Sequence, residues 1–178
     1  SAASDVYKRQ PVAPETQRGI FAFGLTSGDV NMSNLVSSSG VIASDVTGVG
    51  TARRQLGALN YGGDKAIFSY GNSGSGRTNV TNLVNNSGVV ATDITGVGTS
   101  RYDLGSAKYG VGLGIFAFGN SSSGSGITTR NLVSSSGVIA TDASGAGHAR
   151  SRIEAGGYGG DKAIFAYGWS SSYSSGTN

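Results

Sequence analysis

Three aspartates and three arginines recur at one spacing: Asp45, Asp93 and Asp142 each stand eight residues before Arg53, Arg101 and Arg150. A carboxylate and a guanidinium held at fixed separation make charge-assisted hydrogen bonds. A pair that returns in every copy of a repeat reads as a structural ion pair or a turn-holding hydrogen-bond network between the third and fourth strands of a unit, not as a ligand site. The single histidine, His148, replaces Thr51 and Thr99 of the other copies and has no acidic or thiol partner at triad or metal spacing, so it reads as a surface substitution. The stretches SDVTG and TDITG carry one carboxylate each, too few for the ~6–8 oxygen ligands of calcium. GVGTAR imitates a phosphate loop but lacks its lysine and runs into a strand. No cysteine is present, which removes disulfides and thiolate metal sites. Glu154, the only glutamate besides Glu15, stands alone, and every other strand carboxylate is repeated or lies in a turn. Neither catalytic residues nor a metal or cofactor site are expected.

The residues that repeat belong to short strands. Phe21, Phe68, Phe116 and Phe165 recur at intervals of 47, 48 and 49 residues, and each of Asn34, Asn82 and Asn131 lies 34 residues before the next of these phenylalanines. A fixed period of this size marks an array of supersecondary units. Within a unit, AIFSY and its relatives form a first strand ending on glycine, and NLV and GVIA or GVVA form a second and third across an Asn/Ser/Gly turn. GALNY and its counterparts form a fourth, joined to the next AIF by a Gly-Gly-Asp-Lys turn that the middle copy lacks, carrying Gly112 and Leu113 instead. Thirty-one glycines, two prolines and 13% charged residues fit such strands better than amphipathic helices. A formal charge of +3, spread along the chain without Lys/Arg clusters, disfavours nucleic acid as a partner.

GYGGDKAIFAYG and TARRQLGALNYGG resemble the kelch repeat: an arginine, a small-residue strand, a Gly-Gly turn and an Ile-Phe strand ending in glycine. The resemblance covers Arg18 to Asn178 and is to kelch-like repeats of environmental, often phage-like, sequences. It differs in the single glycine closing each first strand and in a TGVG loop where a tryptophan would stand. A chromosome-condensation-regulator-like propeller has a similar period, and both imply the same architecture. The expected fold is all-β, a β-propeller-like array of four-stranded antiparallel blades in an incomplete ring of about three blades plus the start of a fourth, since closed propellers have ~4–8 blades. The units run 19–65, 66–113, 114–162 and, in part, 163–178, with 11–18 as a lead-in. Residues 1–10, SAASDVYKRQ, resemble a translated sequencing-library adapter and stand outside the fold. Apolar faces left open at the ends of such an array favour self-association.

Only the connection from the first strand to NLV changes length between copies: LTSGDVNMS, NSGSGRTNVT and NSSSGSGITTR. Loops on a rigid scaffold are where recognition concentrates. The candidate ligand-binding residues are therefore Asp29, Asn31, Arg77, Asn79, Thr128 and Arg130, with Trp169 and Tyr173 opening the fourth copy. Amides and aromatics on a weakly charged surface suit glycan hydroxyls and ring faces. The expectation is a non-enzymatic module presenting these loops to a glycan or protein ligand, with a virion or extracellular surface implied by the resemblance. The alternative is a piece of a propeller enzyme, such as a sugar oxidase or glycosidase, whose catalytic part lies elsewhere.

Overall fold

The computed structural model describes residues 19–121 and 125–170, and these form strands and turns. In chain order the strands are β1 (Gly19–Leu25), β2 (Asp29–Val36), β3 (Gly57–Tyr61), β4 (Lys65–Ser69), β5 (Asn72–Ser73), β6 (Gly76–Arg77) and β7 (Thr81–Val84). They continue as β8 (Gly105–Tyr109), β9 (Leu113–Ala117), β10 (Arg130–Val133), β11 (Glu154–Tyr158) and β12 (Lys162–Ala166). Among the described residues no helix is long and apolar enough to cross a membrane.

The strands build four successive antiparallel sheets, β1-β2, β3-β4-β7, β8-β9-β10 and β11-β12, with β5-β6 as a small extra hairpin. The sheets are offset from the sequence repeat. The tight turn after Tyr61 folds β3 onto β4, pairing Leu59 with Ile67 and Tyr61 with Lys65, so the last strand of one sequence unit belongs to the sheet of the next.

The third strand expected from GVIA and GVVA is reduced to two isolated bridges per sheet: Val36 to Ile42 and Ser33 to Val46, Val84 to Val90 and Thr81 to Ile94, Val133 to Ile139 and Arg130 to Ala143. An asparagine is the cause. Between the bridges, the side-chain amide of Asn34, Asn82 or Asn131 donates to the carbonyl of Ala43, Ala91 or Ala140 at 3.0–3.1 Å. A side chain thus takes a ladder bond that backbone would otherwise make, and the edge segment bows away from strand geometry.

Strand β4 ends in an unusual way, and its counterparts repeat it. Phe23, Tyr70, Phe118 and Tyr167 all have φ of 60–65°, and the glycine after each has φ of 106–125°. An aromatic residue in the left-handed region costs on the order of 1–3 kcal/mol, so surrounding contacts must hold it there. Three of the four rings pack on the next sheet, Phe23 on Phe68, Tyr70 on Phe116 and Phe118 on Phe165, with ring centroids 5.4–5.7 Å apart, whereas Tyr167 of the last sheet keeps the same φ while 61% exposed. The core is therefore not inside any one sheet but between sheets. Leu59, Tyr61, Ile67 and Tyr70 of one sheet pack on Leu104, Phe116, Val133 and Ile139 of its neighbour, and Phe118 with Ile153 and Phe165 continues the stack.

Candidate functional site

The three recurring arginines are the largest fully buried side chains among the described residues: Arg53 and Arg101 are 0% exposed and Arg150 is 1% exposed. Each lies over the left-handed aromatic ring of its own sequence unit, with the guanidinium carbon 4.0 Å from the Phe23 centroid, 4.0 Å from Tyr70 and 4.6 Å from Phe118. The backbone carbonyl of the same arginine accepts the N–H of the glycine after that ring, at 2.8–3.0 Å. Its guanidinium then reaches the next sheet: Arg53 donates to the carbonyls of Phe68 and Tyr70, Arg101 to Asn131 Oδ1 and Arg150 to the Phe165 carbonyl. Burial pulls Arg53 down to about 10 against the attraction of Asp93, and pushes the Tyr70 phenol up to about 12.

Each aspartate bonds an asparagine of its own unit, and two of the three also bond the preceding unit. Among the described residues, no ion pair joins Asp45 to Arg53, Asp93 to Arg101 or Asp142 to Arg150. Instead Asp93 accepts the N–H and hydroxyl of Thr51 from the preceding unit, the latter at 2.6 Å, and the amide of Asn82 at 2.8 Å. Asp142 does the same with Thr99 and Asn131. Asp45 takes the Asn34 amide at 2.7 Å. Asp93 and Asp142 thus tie their units to the ones before through Thr51 and Thr99. This part of the repeat is framework.

Burial opposes the charged form of Asp93 and Asp142 most strongly, yet the Thr hydroxyl, the Asn amide and the Thr N–H outweigh it, and both carboxyls lie below the ordinary carboxylate value. An unfolded aspartate titrates near ~3.9. The stabilisation from these two groups is therefore complete above that pH and is lost as the pH falls through their lowered folded values. Urea unfolding measured down the acid limb should show stability falling below about pH 4, and replacing both aspartates by asparagine should flatten that fall.

The loop candidates from the sequence divide into framework and surface. Asn31 and Asn79 donate to the carbonyls of Gly50 and Gly98, each at 2.8 Å, and so pin the TGVG loop to the strand beside it. The Thr128 carbonyl lies against Gly145 at the matching place. Arg130 begins β10 and donates from Nε to the Ser144 carbonyl. Arg77 ends β6 and is exposed. Asp29 is largely covered and pairs with Arg54 at 2.6 Å. Trp169 exchanges two backbone hydrogen bonds with Ser151, and the Arg152 guanidinium lies 6.0 Å from its ring. Tyr173 lies outside the described residues.

What the sequence reading missed is the dipeptide after each buried arginine: Arg54-Gln55, Tyr102-Asp103 and Ser151-Arg152. Arg54, Tyr102 and Ser151 bridge to Asn72, Asn120 and Trp169, the first residues of successive variable connections. Gln55, Asp103 and Arg152 all have φ of 53–57° and form a column. The Asp103 N–H donates to the Gln55 carbonyl, and the Arg152 N–H to the Asp103 carbonyl. Their side chains follow, with Gln55 Nε2 on Asp103 Oδ1 at 2.9 Å and Arg152 Nε on Asp103 Oδ2 at 3.3 Å. The two stretches that differ most between copies thus run side by side as one strip. Its exposed members include Gln55 and Arg152, and its aromatic members are Tyr102 and Trp169. The signal was present in the sequence, since these dipeptides change while the arginine before them and the small strand after them persist.

Among the described residues no three His, Cys, Asp or Glu side chains gather at metal-binding range. A cleft of about 810 Å³ opens between the first two sheets, lined by Ile20, Leu35, Ala58, Asn60 and Lys108 among others, and no strip residue lines it. No protein-family model matches the chain, and no curated protein matches it in sequence.

Proposed function

We propose that this chain is a non-enzymatic binding module: a propeller-like fan of repeated sheets that presents one variable strip to a glycan or protein ligand, on a virion or cell surface. The observation that carries the reading is the meeting of the two variable stretches, the connection after each first strand and the dipeptide after each buried arginine, on a framework whose other residues repeat. The fan itself is supported by where neighbouring sheets touch. Their strand contacts concentrate on β3, β8 and β11, and no comparable contact joins the outer strands β7 and β10.

The strip's chemistry suits a ligand with hydroxyl and ring faces. Tyr102 and Trp169 offer flat aromatic surfaces, and Gln55, Asp103 and Arg152 offer donors and acceptors fixed by mutual hydrogen bonds. Preordered side chains lose less entropy on binding. Printed glycan and extracellular-protein arrays, probed with the native chain and with Tyr102→Ala/Trp169→Ala, test this. The double variant should melt within a few degrees of the native chain and lose at least about tenfold in affinity for whatever the native chain retains. Undiminished binding by the variant would move recognition off the strip.

A further inference from the structure

The sheets meet one another through one repeated arrangement, and the first and last of the described sheets present each half of it once more. Phe116 sits over Gly57, where a Cβ would fall 2.8 Å from the ring, and Phe165 sits over Gly105, where it would fall 2.9 Å away. Beside these contacts Tyr70 covers Phe116 and Phe118 covers Phe165. On the first sheet the counterpart of these phenylalanines, Phe21, is 62% exposed, against 4%, 0% and 6% for Phe68, Phe116 and Phe165. On the last sheet Tyr158, Ile164 and Tyr167 are 54%, 41% and 61% exposed, whereas Tyr61, Ile67 and Tyr70 are 4%, 0% and 0%. A second copy could extend the stack by setting its Phe21 beside Tyr167. Such a contact is head-to-tail and does not close on itself, the geometry that makes fibres.

One position stands against it. Where the internal interfaces have Gly57 and Gly105, the last sheet has Glu154. We propose that Glu154 keeps copies of this chain from stacking head-to-tail. Phe21 of an incoming copy would meet the Glu154 Cβ where the internal phenylalanines meet none, and docking would bury a carboxylate among Tyr158, Ile164 and Tyr167. Charges placed on an otherwise sticky sheet are a common guard against association. Gly156 adds to the mismatch. It takes the place of Leu59, whose side chain lies against Gly114, and the incoming residue there would be Gly19, leaving two glycines face to face.

Sedimentation over about a hundredfold concentration range tests this on the full 178-residue chain. The native chain should sediment as a monomer throughout, as should Glu154→Ala, which keeps the obstructing Cβ, and Gly156→Leu. Glu154→Gly, alone or with Gly156→Leu to rebuild the face of the second sheet, should associate at least about tenfold more tightly. Adding Phe21→Asp to either Glu154→Gly chain should restore the monomer. Native chains that associate and are dissociated by Phe21→Asp would overturn the proposal, as would a monomeric Glu154→Gly/Gly156→Leu chain whose circular dichroism matches the native one.

Discussion

Arg53→Met should lower the unfolding free energy by about 3–5 kcal/mol, the largest loss among the three arginine positions. Two effects compete. Methionine relieves the desolvation that pulls the Arg53 pKa down to about 10, and replacing a buried charge by an apolar side chain of similar volume is often neutral. Against this, Arg53 serves three carbonyls, those of Tyr70 at 2.9 Å, Thr51 at 3.1 Å and Phe68 at 3.4 Å. Each buried acceptor left without a donor costs about 1–3 kcal/mol. The cation–π contact with Phe23 is lost as well. The carbonyls win. Lysine should rescue little, because a point charge cannot lie flat on the ring while donating in three directions. Arg101 has two such bonds and Arg150 one, so urea unfolding of the three methionine variants should rank them Arg53, Arg101, Arg150 in decreasing loss. Equal losses, or none, would mean that the aromatic stack holds the sheets without the arginines.

Gly96→Ala should be at least as damaging, by about 3 kcal/mol or more. Its φ is not in the left-handed region, so strain is not the argument; space is. A Cβ at Gly96 would overlap the carbonyl of Asn79, and one at Gly48 would overlap that of Asn31. Backbone atoms cannot rotate aside as a side-chain tip can. Relief requires the loop to lift, which breaks the Asn79 amide bond to Gly98 and draws Thr99 away from Asp142. Gly74→Ala, with open space around its Cβ, should change stability little. Thermal and urea melts of the two variants separate these cases: a Gly96→Ala chain as stable as Gly74→Ala would show that the loop moves freely.

Much of this was legible in the residues themselves. The period, the antiparallel strands, the tight turns and the constancy of Asp, Arg and Asn follow from local rules, because strand propensity and turn chemistry act over a few residues. So did the place of the variable connections. The partners that the arginines and Asp93 and Asp142 find in the neighbouring unit were not legible. Asp93 is eight residues from Arg101 in sequence, yet its carboxylate is held by Thr51, 42 residues distant. The left-handed aromatic residues were equally hidden. No propensity places Tyr70 at φ 65°, with Arg101 over its ring and Phe116 of the next sheet in T-shaped contact with it.

The sequence by itself determined the repeating strands, their turns and which positions vary. Tertiary structure alone decided that the third strand yields to an asparagine side chain and that the arginines lie buried between sheets. It also decided that the residues after those arginines join the variable connections in one strip. The physical reason is separation along the chain: the asparagines reach carbonyls nine residues on, the arginines reach acceptors of the next sheet 15–30 residues away, and the strip joins side chains 48–49 positions apart, spans that strand propensity and turn chemistry do not cover.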